Sequence, residues 1–324
     1  MLCLHMIKIA LATVHLLGLR KIRIDKKSLP HTAHFMTSGK CSFDCDFCSQ
    51  AKNSNADNRY LSRVIWPEYD ENIIKDVLKR ELNKKFKRIC LQVVQNSNYL
   101  RETLSFIRFI RECSNLPLSI SVRTESLEEI KKLFAYGASQ VGLALDAVEK
   151  KDYQKIKKGY YYRFLNFLIQ AARQFPGKIT THIIVGFSEN EKQVISMLKK
   201  LHKEGITIAL FAFTPVPGTL MAKKKPPDLA KYRRIQLAHN LITHNLRYSF
   251  RFNRNSELVS CGWSKKELLK GFVNTDLFQT TGCKGCNRPF YNEKPLSLLY
   301  NYHYKLTGNE FRQTVEQLGL IYDD

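Results

Sequence analysis

Nine cysteines in 324 residues are spaced too unevenly to be incidental, and an odd number argues against a closed disulfide framework. Cys41, Cys45 and Cys48 crowd into the segment Ser-Gly-Lys-Cys-Ser-Phe-Asp-Cys-Asp-Phe-Cys-Ser-Gln (38–50). Three thiolates so close in one loop can take three corners of an iron–sulfur cubane and leave the fourth iron open. Tetrahedral zinc is the alternative, but structural zinc prefers paired Cys-x2-Cys elements and four protein ligands. Cys261, Cys283 and Cys286 form a late trio, with Gly285 freeing the turn between the last two. They can hold an auxiliary cluster or a zinc knot; a redox Cys-x2-Cys pair lacks its strand-to-helix context. Cys3, Cys90 and Cys113 stand alone. Cys90, in the apolar run Ile-Cys-Leu-Gln-Val-Val, and Cys113, after a helical stretch, read as packing residues.

Such side chains need a scaffold, and the chain supplies a regular one. Residues 31–37 read as a strand and 67–86 as a helix with Ile73, Ile74, Val77, Leu78 and Leu82 on one face. Strands at 88–94, 118–122, 140–146, 178–186, 206–213 and 247–252 then alternate with helices at 99–113, 126–137, 160–175, 190–205 and 228–244. Ser126 and Asn190 suit helix N-caps, and Gly137 and Gly205 suit helix ends. Regular β-α alternation means a parallel sheet with right-handed crossovers. No Gly-x-Gly-x-x-Gly follows any strand, so the α/β fold expected is a partial TIM-type β/α barrel, with its chemistry at the C-terminal ends of the strands. Residues 1–30 read as an N-terminal helix and strand extension, 31–254 as the barrel, and 255–324 as an extension lying over the barrel mouth.

Composition bounds the rest. With 44% hydrophobic and 25% charged residues, 10 Pro and 15 Gly, the chain is neither disordered nor collagenous. Lys and Arg total 52 against 29 acidic residues, a formal charge of +23 that implies an acidic partner. The basic runs are Lys150, Lys151, Lys155, Lys157 and Lys158; Lys199, Lys200 and Lys203; Lys223 to Lys225; and Lys265 and Lys266. The N-terminal stretch Met-Leu-Cys-Leu-His-Met-Ile-Lys-Ile-Ala-Leu-Ala-Thr-Val-His-Leu-Leu-Gly-Leu is interrupted by Lys8, His5 and His15 and is too short to span a bilayer. It is expected to pack on the domain as an amphipathic helix, a membrane-surface anchor being the weaker alternative, and the chain is assigned to the cytoplasm.

Cys-x3-Cys-x-Phe-Cys after the first barrel strand resembles the radical S-adenosylmethionine (SAM) superfamily. The resemblance implies that Cys41, Cys45 and Cys48 hold a 4Fe-4S cluster whose open iron binds SAM, and that Phe47 packs against the adenine. His182-Ile-Ile-Val-Gly-Phe-Ser-Glu189 is similar to the family's Gly-x-Ile-x-Gly-x-x-Glu element, which implies adenine contacts for Ile184 and Gly186. Gln95-Asn96-Ser97 stands where Gly-Gly-Glu often follows the second strand. Gln95, Arg123 and Asp146 are the polar groups at strand ends expected to bind SAM. Phe-Ala-Phe-Thr-Pro-Val-Pro-Gly-Thr (211–219) and Cys-Lys-Gly-Cys-Asn-Arg-Pro-Phe-Tyr (283–291) resemble the biotin and lipoyl synthase branch, most of all its split, two-protein lipoyl synthases. That branch implies an auxiliary cluster, here on Cys261, Cys283 and Cys286, that gives sulfur to an unactivated carbon. The implied substrate is an octanoyl chain on an acidic lipoyl carrier protein, the implied partners a second lipoyl synthase-like protein and a ferredoxin or flavodoxin. Arg251 and Arg254 resemble the arginine ligand of biotin synthase. Biotin synthase-like chemistry on a small molecule and tRNA modification are the other enzymatic readings, though no RNA-binding module is visible; a zinc and nucleic-acid-binding protein is the non-enzymatic one.

Overall fold

The computed structural model describes residues 6–294 and 297–322. Its spine is a sheet of eight strands, six of them parallel. β1 (Met6–Ile9) leads through the short helix α1 (Leu11–Leu16) to β2 (Thr32–Thr37), the first barrel strand. A hairpin of β3 (Tyr60–Leu61) and β4 (Val64–Ile65) precedes β5 (Glu68–Asp70). The alternation then runs α2 (Glu71–Lys85), β6 (Arg88–Gln92), α3 (Tyr99–Cys113), β7 (Leu118–Ser121), α4 (Leu127–Ala135) and β8 (Gln140–Gly142). The helical turn α5 (Lys150–Asp152) continues as one π turn through Lys157. α6 (Tyr161–Gln174), β9 (Ile179–Val185), α7 (Glu191–Lys203), β10 (Thr207–Ala212) and α8 (Leu229–Thr243) complete the series. Ser126 and Asn190 do cap α4 and α7, their side chains accepting from the Glu129 and Gln193 amides.

The strand order is β10-β9-β8-β7-β6-β2-β1-β5, with β2 and β6 to β10 paired in parallel and β1 running antiparallel to both of its neighbours, β2 and the edge strand β5. The expected partial barrel is thus present, with no closed ring among the described residues. Two expectations need correcting. The N-terminal stretch is not one amphipathic helix, because Ile7 and Ile9 pair with β2 as a strand; residues 1–5, with Cys3, lie outside the described residues. Residues 247–252 do not add a seventh barrel strand. Arg251–Phe252 forms β11 and pairs instead with β12 (Leu258–Ser260) outside the main sheet. A barrel strand is covered on both faces, and in Arg-Tyr-Ser-Phe-Arg-Phe every second residue is Arg or Ser, while Tyr248 and Phe250 stack on each other beneath Lys199.

Strand alternation decides what faces where. Ala33 and Phe35, Ile89 and Leu91, Leu118 and Ile120, and Ile183 and Val185 point outward into the helical layer, where Phe35 meets Phe106 at 5.5 Å. Their neighbours His34, Cys90, Gln92, Ser121, Thr180, His182, Ile184, Ala209 and Phe211 point inward and line the barrel cavity.

The C-terminal extension carries α9 (Lys265–Phe272) and α10 (Gly308–Glu316) on the outer layer. Its cysteine-bearing part does not lie over the mouth. It crosses the opposite end, where the strands begin: the Arg88 guanidinium donates to the Lys284 carbonyl, and the His31 amide to the Asn287 side chain. From there it climbs the open side beside β10. The Leu210 amide donates to Thr281 Oγ1, and Asn292 Nδ2 donates to the Ala212 carbonyl, so side chains satisfy an edge that lacks a strand neighbour.

Candidate functional site

The barrel encloses a cavity of about 240 Å³, with Cys48 towards the mouth and Cys90, Cys283 and Cys286 at the floor. The loop bearing Cys41, Cys45 and Cys48 leaves β2 and crosses the mouth. Backbone bonds tie it to the ends of other strands: the Ser42 amide donates to the Gln95 carbonyl at 2.6 Å, the Asp46 amide to the Ile156 carbonyl at 2.9 Å, and the Met221 amide to the Asp46 carbonyl at 3.3 Å. Burial and the neighbouring thiols push Cys48 up to about 12, and burial raises Cys45. Thiols so placed ionise only when a cation offsets the buried charge, so the donor set fits an iron cluster. Among the described residues no group of three His, Cys, Asp or Glu side chains closes on a single ion, whereas each thiolate of a cubane takes its own iron.

The other residues expected to hold SAM gather here. Arg123 lies over the Phe43 ring at 3.7 Å and aims Nη1 at Cys45 Sγ, 3.5 Å away. Its amide donates to Gln95 Oε1. Phe47 and Ile184 line the cavity, Phe47 packing on Phe187 with centroids 5.8 Å apart. Gly186 has φ +121°, and a Cβ there would meet Phe213 and Pro227 at 2.9 Å, so only glycine allows this turn. Glu189 holds it, accepting from the Gly186 and Phe187 amides at 2.8 and 3.0 Å. Asp146 adopts left-handed φ +60° and pairs with Lys157 at 2.7 Å, not with Arg123. Lys157 therefore leaves the predicted surface run: its side chain is 4% exposed and its Nζ also donates to the Ala144 carbonyl. Lys158 bridges Asp44 and Asp46 on the rim, where Lys223 and Lys225 are also exposed.

The late trio is split. Cys283 and Cys286 reach up from the floor, Cys283 Sγ lying 3.5 Å from Ser119 Oγ and Cys286 Sγ 4.0 Å from His34 Nε2. Cys261 is 1% exposed in the outer layer after β12, its carbonyl accepting from the Ser249 amide, and it does not line the cavity. The thiol that joins the pair is Cys90, which burial and the charges of Cys283 and Cys286 push well above the usual thiol range. Cys113 packs in the core as expected. Arg251 and Arg254 are exposed on the outer layer, so neither reaches the barrel interior. Arg288 does, stacked over Phe211 at 4.1 Å. Burial holds the inward imidazoles of His34 and His182 down to about 4, hence neutral. His34, Cys90, Lys157 and Arg288 were missed in the sequence; strand parity from Gln92 flags Cys90 and Arg88 as one face, but nothing local flags the others.

A partial parallel β/α barrel with a three-cysteine loop across its mouth defines an α/β enzyme whose chemistry belongs to a bound iron–sulfur group. Residues 35–201 match the family model described as the radical SAM superfamily. The chain belongs to that superfamily, which implies a 4Fe-4S cluster and SAM. No curated protein matches it. Among solved structures it is similar to the FeFe-hydrogenase maturase HydG from Carboxydothermus hydrogenoformans, at 17% identity and TM-score 0.53 over 69% of this chain and 53% of that one. It is also similar to methylornithine synthase (PylB), at 16% identity and TM-score 0.51 over 73% of this chain and 66% of that one. The chain thus spans about half of HydG and just under two thirds of methylornithine synthase, and at these identities the likeness concerns the fold. Among the described residues no helix is long and apolar enough to cross a membrane.

Proposed function

We propose that this radical SAM enzyme inserts sulfur into unactivated C–H bonds of an octanoyl-lysyl chain on an acidic lipoyl carrier protein, together with a second lipoyl synthase-like protein. The observation that carries the reading is the single cavity with thiols at both ends, Cys48 at the mouth and Cys90, Cys283 and Cys286 at the floor. When bound, the mouth cluster with SAM supplies the 5′-deoxyadenosyl radical that abstracts hydrogen, and an auxiliary cluster supplies the sulfide that the carbon radical takes. The chain's own residues position and exclude. Cys41, Cys45 and Cys48 hold the first group; Gly186 lets the backbone approach SAM, and Arg123 and Asp146 offer opposite charges at the strand ends. Phe47, Leu61, Phe211, Phe213 and Val216 give the cavity an apolar wall that suits a hydrocarbon chain and keeps water from a radical. Lys223 and Lys225 on the rim suit an acidic carrier, whose encounter they would speed in a salt-dependent way. Ferredoxin or flavodoxin is the proposed electron donor.

The test is anaerobic incubation with SAM, a reductant and an octanoyl-lysyl peptide, followed by mass spectrometry. A thiolated octanoyl product is expected. Sulfur gained only by dethiobiotin or by tRNA would overturn the lipoyl assignment.

A further inference from the structure

We infer that the auxiliary cluster, if the sulfur-insertion reading above is right, is held at the barrel floor by Cys90, Cys283 and Cys286 with His34 as the fourth, non-thiol ligand, and that Cys261 takes no part. Four donors from three separate parts of the chain meet there. Cys90 lies in the middle of β6 on its inward face, two residues beyond Arg88, whose guanidinium grips the Lys284 carbonyl within the Cys-Lys-Gly-Cys turn at 3.2 Å. Gln92 Nε2 donates to Cys90 Sγ at 3.2 Å, and Ser119 Oγ lies 3.5 Å from Cys283 Sγ, so two of the three sulfurs already have the polar neighbours that support cluster thiolates. Register places Cys90 and His34 side by side, since His34 pairs with Cys90 across the parallel β2-β6 ladder. His34 aims Nε2 at Cys286 at 4.0 Å, packs edge-on to Trp66, and is buried. Gly282 sits at φ +112°, and a Cβ there would come within 2.8 Å of Ala209 Cβ, so a glycine lets the floor turn enter the barrel deeply enough to face them. Iron–sulfur clusters accept histidine in place of cysteine with a change in electronic character. Arg288, whose Nη2 donates to the Thr281 carbonyl at 3.0 Å just before the Cys283 turn, offers a fixed positive charge near an anionic thiolate cluster.

The experiment uses the full chain with Cys41, Cys45 and Cys48 all changed to Ala, so that only the second site can take iron. Anaerobic reconstitution followed by iron analysis and electron paramagnetic resonance is expected to show about four irons per chain and one cluster signal in the reduced protein. Cys90→Ser in that background is expected to lose most of that iron and the signal, and Cys261→Ser to keep both. Iron loss on Cys261→Ser with retention on Cys90→Ser overturns the ligand set. Circular dichroism separates iron loss from unfolding, and Cys90→Ala gives a second, non-coordinating variant of the position. For His34, the triple variant labelled with 15N-histidine is expected to show strong nitrogen hyperfine coupling to the reduced cluster, lost in His34→Gln; coupling absent from the parent overturns histidine ligation. No iron in the triple variant under any condition instead removes the auxiliary cluster and with it the sulfur-insertion reading.

Discussion

The two ends of the cavity are built in opposite ways. At the mouth, three thiols come from one loop of eight residues whose own backbone turns bring them together, as in the Cys48 amide donating to the Cys45 carbonyl at 3.0 Å. At the floor, the thiols come from β6 and from a turn in the C-terminal extension, and only the folded barrel joins them. Local spacing therefore announces the first set, whereas the second is a property of tertiary structure.

The sharpest way to separate the ends is to remove a mouth thiol. Cys45→Ala is expected to abolish SAM cleavage, followed as 5′-deoxyadenosine, while thermal unfolding shifts little, because the loop is half-buried; comparable loss of cleavage from Cys261→Ala would break the assignment. Next is the Asp146–Lys157 pair, which lies at the mouth beside Cys45 and is nearly dry. Lys157→Met leaves a buried carboxylate without its cation and is expected to cost about 3–5 kcal/mol in denaturant unfolding; a cost under about 1 kcal/mol would show the pair to be solvated.

The floor should be the acid-sensitive end. His239, which lines the underside beside the Cys283 turn, and His303, bonded to Ser28 on the closing side, are both held by burial down to about 4 from 6.5. Because folded pKa values lie below unfolded ones, the unfolded chain takes up these protons first. Their contribution is complete above pH 6.5 and is lost as pH falls towards 4, at about 1.4 kcal/mol per pH unit for each group. Hydrogen exchange as pH is lowered through that window is expected to loosen residues 279–294 and 297–303 before the mouth loop. Gly282→Ala strains the same turn, at φ +112° with the new Cβ 2.8 Å from Ala209 Cβ, and is expected to cost about 1–3 kcal/mol with the mouth unaffected. The smallest effect is expected from Lys223→Glu with Lys225→Glu, which should slow capture of an acidic carrier several-fold at low salt and hardly at all at high salt.

The barrel was legible because its signals are short-range: periodicity placed the six parallel strands, and Ser126 and Asn190 marked helix starts that the structure caps. Residues 247–252 misled because alternating aromatics there are spent on a surface stack under Lys199. At the site, spacing marked the mouth trio, and the Gly186 element followed from its place at the end of a strand. Grouping Cys261 with Cys283 and Cys286 failed because nearness in sequence is no guide once a chain segment passes around a barrel. Cys90 looked like packing because its neighbours Ile89 and Leu91 are core residues; its own side chain faces the other way.

The closing segment also sets an order of assembly. Until residues 279–294 leave the ribosome, the outer edge of β10 shows unpaired backbone to any other strand, and His34 and Cys90 look out of an unfinished barrel. Thr281, Arg288 and Asn292 then seal that edge with side chains instead of a ninth strand. A nascent chain can thus acquire its mouth loop early, but its interior is walled off beside β10 only once Thr281, Arg288 and Asn292 have been made.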